Sequence, residues 1–177
     1  KWNEINYNHT PSLTMSRNKK AFKKHDEDRF NLYKTALQDG TAKVNAAALY
    51  PYDVLKALEN DHDEIIAKSQ WDALPNYLGE QNILPMVDVS GSMSGRPMAS
   101  SVGLAIYFAE RNSGPYKDMF MTFSSNPQFV KLKGESLAEK IANAQSADWG
   151  MSTNLSAAFM KVLSVAIENN VPATDMP

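Results

Sequence analysis

One stretch, residues 83–95, constrains the fold more than any other part of the chain. It opens with a short apolar run and then changes abruptly to serine and glycine. A short apolar run bounded by turn residues is typical of a buried strand in a parallel sheet. Helical periodicity follows the loop, so the order is strand, loop, helix. Because α/β sheets bind ligands at the carboxyl ends of their strands, this loop is the first candidate site.

Three oxygen-bearing side chains alternate along the loop: Asp88, Ser90 and Ser92. In an extended loop, alternate side chains lie on one side, so their oxygens can converge on one point. One carboxylate and two hydroxyls, without sulfur or imidazole, suit a hard hydrated cation such as Mg²⁺. The competing interpretation is a serine and glycine loop in which Asp88 only caps the next helix, since these residues are common in turns for local reasons.

The pattern Asp-x-Ser-x-Ser between a strand and a helix resembles the metal-ion-dependent adhesion site of von Willebrand factor A domains. The resemblance implies that Asp88, Ser90 and Ser92 are metal ligands and that Thr153, before the last helix, joins them. The family's remaining Asp, which follows a later strand, has no counterpart here. We therefore expect an α/β, Rossmann-like fold that is the N-terminal half of such a domain, with an incomplete sheet. The implied cofactor is Mg²⁺ or another divalent cation.

Three further segments resemble one particular family that contains such a domain. The family is poorly characterised, and each of its proteins consists of two halves. Its helical half resembles the TROVE module of Ro-type RNA-binding proteins, and its C-terminal half is a von Willebrand A domain. The segments are NAAALYPY at residues 45–52, WDALP at residues 71–75 and FSSNP at residues 123–127.

Composition and periodicity divide the chain into three parts. Residues 1–21 mix polar residues and isolated aromatics without a clear period, which predicts an extended arm. Residues 22–80 predict a helical linker segment, including a helix over residues 26–38. Residues 81–177 predict the N-terminal part of the von Willebrand A-like domain, with a hairpin over residues 119–132 and a helix capped by Ser136. The last helix is predicted by an unbroken apolar period: Leu155, Ala158, Phe159, Val162, Leu163, Ala166 and Ile167.

Charge is unevenly distributed along the chain. Residues 1–50 carry a balance of +4 and the remainder carries −6. The basic residues could bind nucleic-acid phosphate, or they could form a solvated helix start or linker. The second interpretation is favoured because only Phe22 and the distant Tyr33 could offer bases a stacking surface. The candidate nucleic-acid residues are Arg17, Lys19, Lys20, Lys23 and Lys24.

Enzyme motifs are missing from the sequence. Residues 91–95 lack the Lys-Ser/Thr of a phosphate-binding loop, and the serines lack the Gly-x-Ser-x-Gly spacing of a hydrolase. The histidines, His9, His25 and His62, all precede the central strand. No apolar run approaches the roughly 20 residues of a membrane span, and cysteine is absent. We expect a cytoplasmic, non-enzymatic protein without a membrane partner.

These observations favour a non-catalytic module that recognises an acidic side chain of a protein partner through a bound Mg²⁺. Two alternatives remain: a scaffold subunit of a Ro-like particle that binds RNA, and a structural component of a larger viral or cellular assembly with a vestigial metal loop. Residues 84–89 would form an exposed apolar edge without further strands. We therefore expect the remainder of a longer polypeptide, or another chain, to complete the sheet.

Overall fold

The computed structural model describes residues 1–61, 63–79, 81–88, 90–150, 152 and 154–177, without the side chains of residues 60 and 61. Within these ranges the chain is a mixed α/β protein with seven α-helices and one three-stranded sheet. It forms two compact units, Lys1–Pro75 and Asn76–Pro177. The sequence predicts the corresponding boundary between residues 80 and 81. No helix in the described part of the chain is long and apolar enough to cross a membrane.

The first unit is helical and packs around an aromatic core. The rings of Tyr7, Phe22 and Phe30 lie with their centroids 5.3 to 5.7 Å apart. Edge-to-face and tilted ring pairs of this kind contribute packing energy beyond the area that they bury. The second helix confirms the prediction for residues 26–38. The helices are α1 (Ser12–His25), α2 (Glu27–Gln38), α3 (Pro51–Asp61) and α4 (Glu64–Asp72).

The prediction of an extended arm over residues 1–21 is wrong, because α1 begins at Ser12. Two short 3-10 turns, Trp2–Glu4 and Tyr7–His9, precede this helix. The buried face of α1 has regular helical spacing and consists of Ser12, Met15, Lys19 and Phe22. Two of these four positions are polar, so the apolar period that normally reveals an amphipathic helix is interrupted.

The second unit contains a mixed sheet in the order β1-β2-β3. The first two strands are parallel and are joined through a helix, whereas β2 and β3 form the predicted antiparallel hairpin. Ser136 caps the following helix as predicted, because its hydroxyl accepts a hydrogen bond from the Glu139 amide at 3.2 Å. The elements in chain order are β1 (Met86–Val87), α5 (Arg96–Arg111), β2 (Met119–Thr122), β3 (Phe129–Lys131), α6 (Leu137–Gln145) and α7 (Leu155–Glu168).

The paired part of β1 is shorter than the apolar run that predicts it. Pro85 has no amide hydrogen to contribute to the ladder, although its carbonyl accepts from the Met121 amide at 2.8 Å. Before the strand, the buried side chain of Asn112 bonds both the amide and the carbonyl of Ile83, at 3.1 and 2.5 Å. These contacts hold the approach to β1 although regular pairing covers only two residues.

Only part of the predicted apolar face of helix α7 is buried in the second unit. Ala158 and Ala166 are buried, but four large side chains at successive i, i+4 positions are 47 to 67% exposed. Met160 is also exposed. An apolar surface of this kind on one helix favours association with another surface. The four side chains, here called the α7 stripe, are Leu155, Phe159, Leu163 and Ile167.

We predict that the purified 177-residue chain associates with itself through the α7 stripe. Phe159→Glu should weaken this association by at least about tenfold, because burying a Phe side chain contributes roughly 1.5–3 kcal/mol and about 1.4 kcal/mol corresponds to a factor of ten. Sedimentation velocity over a concentration series measures the effect. Lys161→Glu, which changes an exposed position of the same helix outside the stripe, is the control. A wild-type chain that stays monomeric at every concentration would contradict the prediction.

Candidate metal site at the carboxyl end of the sheet

Asp88 is the first residue after β1 and lies half-buried at the carboxyl end of the strand. Its Oδ1 accepts a hydrogen bond from the backbone amide of Ser90 at 2.8 Å. This contact is an Asx turn, in which a short carboxylate side chain bonds the backbone two residues later. Within the described ranges, Oδ2 has no hydrogen-bond partner. The turn therefore orients the carboxylate and leaves one oxygen available.

The hydroxyls of Ser90 and Ser92 lie together, with their Oγ atoms 3.0 Å apart. Oxygens at adjacent positions of an octahedral Mg²⁺ site, each about 2.1 Å from the ion, are themselves about 3 Å apart. The observed separation fits that geometry without rearrangement. It also allows the two hydroxyls to bond each other, so the distance alone is compatible with a simple serine loop.

The backbone of the loop is held by its own hydrogen bonds. Residues Gly91–Met93 form a 3-10 turn, in which the Met93 amide donates to the Ser90 carbonyl at 2.8 Å. Gly95 ends the loop with φ of +83°, a conformation that side-chain-bearing residues rarely adopt. Helix α5 starts at the next residue. The loop is thus fixed between a strand and a helix.

Thr153, the fourth ligand implied by the sequence, lies outside the described residues. The residues that flank it are placed: the Asn154 amide donates to the Ser124 carbonyl at 3.2 Å. Ser124 follows β2, whose residue Thr122 pairs with Val87 of β1. Because these two strands are parallel neighbours, Asp88 and Ser124 leave the sheet at the same edge. Asn154, the residue that follows Thr153 in the sequence, is therefore attached at the edge where Asp88 lies.

The donor set of the loop fits Mg²⁺ better than a softer metal. Across the described residues, no group of three or more His, Cys, Asp or Glu side chains could hold a metal ion. The loop offers one carboxylate and neutral hydroxyls, which are the oxygen ligands that Mg²⁺ accepts. Zinc sites normally use cysteine or histidine. Any cation held here would complete its coordination with water or with an oxygen from a partner.

The predicted nucleic-acid residues all belong to α1, and they do not share one environment. Arg17, Lys20, Lys23 and Lys24 are exposed, and none of them forms an ion pair with a carboxylate in the described part of the chain. Lys19 is only 3% exposed, because it falls on the buried face of the helix. The assignment of Lys19 as a phosphate-binding residue is therefore corrected.

An aromatic pair beside the basic residues was missed by the sequence analysis. The ring of Trp2 stacks on that of His25, with centroids 4.7 Å apart and planes at 9°. Trp2 is 40% exposed, and His25 directly follows Lys24. The Arg29 guanidinium holds the N-terminal segment by donating to the carbonyls of Trp2 and Ile5. A local sequence pattern could not have predicted the contact between Trp2 and His25, since 22 residues separate them.

These features define a two-unit α/β protein with an oxygen-rich loop at the edge of a small mixed sheet. Residues 82–177 match the family model described as Domain of unknown function (DUF7788), and the chain belongs to this family. Residues 1–84 match the model described as Domain of unknown function (DUF2828).

A relative described as Uncharacterized protein L728, from Acanthamoeba polyphaga mimivirus, is 33% identical over 194 residues. The match covers 99% of this chain and 34% of the relative, so the chain spans about a third of that protein's length. No solved structure matches the chain significantly.

Proposed function

We propose that the second unit is a non-catalytic, metal-dependent protein-interaction module. Asp88, Ser90 and Ser92, joined by Thr153, would hold Mg²⁺ or another divalent cation. The observation that carries this proposal is the 3.0 Å separation of the Ser90 and Ser92 hydroxyl oxygens beside a carboxylate with one available oxygen. A cation with a single carboxylate ligand keeps a net positive charge and supplies a binding point for an acidic side chain of a partner.

The order of elements supports the finer proposal that this unit is the N-terminal half of a Rossmann-like von Willebrand A domain. A parallel β1-α5-β2 connection is followed by the antiparallel strand β3, and the segment with Thr153 comes immediately before α7. The match of the N-terminal part to DUF2828, a family sometimes associated with TROVE- and von Willebrand A-like proteins, supports the same reading.

We also propose that the open edge of β1 and the α7 stripe are covered in the assembled protein. Among the described residues, β2 is the one strand that pairs with β1. The α7 stripe is apolar and exposed at the same unit. Either the remainder of a longer polypeptide or another chain would then complete the sheet, and the threefold greater length of the mimivirus relative is compatible with the first.

The metal proposal is tested by titrating the chain with Mg²⁺ and following both heat and melting temperature. The wild-type chain should bind Mg²⁺ and melt at a higher temperature in its presence, because a ligand that binds only the folded state stabilises it. Asp88→Asn keeps the shape of the side chain but removes its charge, and should weaken Mg²⁺ binding by at least about tenfold.

Glu168→Gln, at the end of α7, is the charge-matched control and should leave Mg²⁺ affinity unchanged. Equal affinity in Asp88→Asn and the wild-type chain would refute the proposed site. A chain whose stability does not respond to Mg²⁺ at all would favour a structural component of a larger viral or cellular assembly.

A second candidate function, a scaffold subunit of an RNA-binding particle, is favoured by the surface of α1. Arg17, Lys20 and Lys24 occupy i, i+3 and i+7 positions, so they form one stripe about 10 Å long. Helix α1 contains no acidic residue. The stacked pair of Trp2 and His25 lies at the end of this stripe. Cations that follow a phosphate backbone, combined with an exposed aromatic face, are the parts of a single-stranded nucleic-acid surface.

We predict that a fluorescent single-stranded oligouridine binds the chain through this surface. With three phosphate contacts to a single strand, affinity should fall roughly 20-fold between 50 and 200 mM salt. The double variant Lys20→Gln/Lys24→Gln should make the salt dependence less steep. Trp2→Leu should weaken binding but leave the salt dependence unchanged. Lys43→Gln, an exposed lysine of the same unit, is the control. Binding that does not respond to salt, as measured by fluorescence anisotropy, would contradict the prediction.

A further inference from the structure

A groove lies in the first unit between the N-terminal segment, residues 3–8, and one face of α2. Its volume is about 580 Å³, which is within the roughly 300–1,000 Å³ of typical ligand-binding clefts. The basic residues of α1 do not line it. The residues of α2 that line the groove follow the spacing of one helical face: Arg29, Leu32, Tyr33 and Ala36.

Apolar side chains line part of the groove. Leu32 is 70% exposed, and Ala36, one helical turn later, is partly buried. Ile5 and Ala42 also line the groove and pack against the aromatic core of the unit. A single exposed leucine needs no explanation. Beside an isoleucine and two alanines in a cleft, however, it offers an apolar contact surface to an aliphatic side chain of a ligand.

The N-terminal segment contributes carboxamide groups to the same groove. Asn3, Asn6 and Asn8 are exposed and line it. The carboxamides of Asn3 and Asn8 make no hydrogen bond to any residue that the structure describes. Asn6 uses Oδ1 to accept the backbone amide of Asn8 at 3.1 Å. A carboxamide both donates and accepts, as a peptide group does, so these side chains can pair with the main chain of an extended ligand.

Contacts with the helices hold the N-terminal segment in place. The Arg29 guanidinium donates to the carbonyls of Trp2 and Ile5, at 3.3 and 2.5 Å. It also donates to the Asp26 carboxylate at 3.0 Å, and this carboxylate accepts from the Tyr7 hydroxyl at 2.7 Å. The groove is therefore formed before a ligand arrives, which lowers the entropy lost on binding.

The charges around the groove favour an uncharged ligand. Glu4 and Arg29 are the charged residues among those that line it, and the Arg29 guanidinium is already bonded to Asp26. Among the described residues, no lysine lines the groove. The phosphates of a nucleic acid would therefore find no cation there to replace their counterions.

We propose that this groove binds an extended, uncharged peptide segment of a protein partner. Leu32 and Ala36 contact an aliphatic side chain of the segment, while Asn3 and Asn8 bond its main chain. An extended peptide supplies both kinds of group at short spacing, because its backbone amides and carbonyls lie between successive side chains. The site lies in the first unit and does not depend on the metal site proposed for the second unit.

Peptides of the form acetyl-Ser-Gln-Xaa-Gln-Ser-amide, with Ala, Leu or Glu as Xaa, test this proposal by NMR titration of the chain in the presence of EDTA. The Leu peptide should shift the side-chain amide signals of Asn3 and Asn8. It should bind about tenfold more tightly than the Ala peptide, because a buried leucine adds apolar contact. The Glu peptide should bind no better than the Ala peptide. The absence of shifts with the Leu peptide, or equal affinity for all the peptides, would overturn the proposal.

Leu32→Ser should reduce the preference for the Leu peptide over the Ala peptide from about tenfold to less than about threefold, because the two leucine side chains contact each other. The melting temperature should stay unchanged, since Leu32 is exposed. Leu104→Ser, which changes an exposed leucine of α5, is the matched control and should keep the full preference. A preference that survives Leu32→Ser would show that the peptide binds elsewhere and would contradict the proposal. Weaker oligouridine binding in Leu32→Ser would assign the groove to a nucleic-acid surface and would also contradict it.

Discussion

The pairing of β1 with β2 is the interaction on which the candidate site depends. Val87 is opposite Thr122, and the Phe123 amide donates to the Val87 carbonyl at 2.9 Å. This register makes Asp88 and Ser124 follow their strands at the same edge of the sheet. A shift of one residue would turn each side chain of β1 to the opposite face of the sheet and change the position of Asp88 relative to Ser124. The register is therefore a requirement of the site as well as of the fold.

So short a ladder needs support from outside the strand. Asn112, at the end of α5, bonds both backbone groups of Ile83 and fixes the chain three residues before β1. Helix α5 also buries Ile106 and Tyr107 within the second unit, and Phe120 of β2 is fully buried. Because a parallel pair is formed by residues far apart in sequence, its closure costs more chain entropy than a hairpin. The packing of α5 and the Asn112 contact offset part of that cost.

The elements that could be predicted from the sequence are those whose signal is local. The cap at Ser136, the β2-β3 hairpin and the period of α7 each lie within a few consecutive turns or strands. Helix α1 was missed because Ser12 and Lys19 occupy its buried face. The stacking of Trp2 on His25 depends on tertiary packing, which no local pattern encodes.

The candidate site also has one part that the local sequence can predict and one part that it cannot. The spacing of Asp88, Ser90 and Ser92 predicts that their oxygens can meet; the structure brings the two hydroxyls to 3.0 Å, while the Asp88 carboxylate accepts from the Ser90 backbone amide. The place of Thr153 stays a prediction, since that residue is outside the described ranges. Its neighbour Asn154 is described, and its amide donates to the carbonyl of Ser124, two residues after β2.

A site with one carboxylate has a consequence for how the proposed module would work. Neutral hydroxyls neutralise little of the charge of a divalent cation, so affinity for the cation alone should be low compared with a site of several carboxylates. The acidic group of a partner would supply the missing negative charge. By thermodynamic linkage, the factor by which the partner raises cation affinity equals the factor by which the cation raises partner affinity. The same ligand set, with one carboxylate, would therefore explain both why the cation alone binds weakly and why cation affinity depends strongly on the partner.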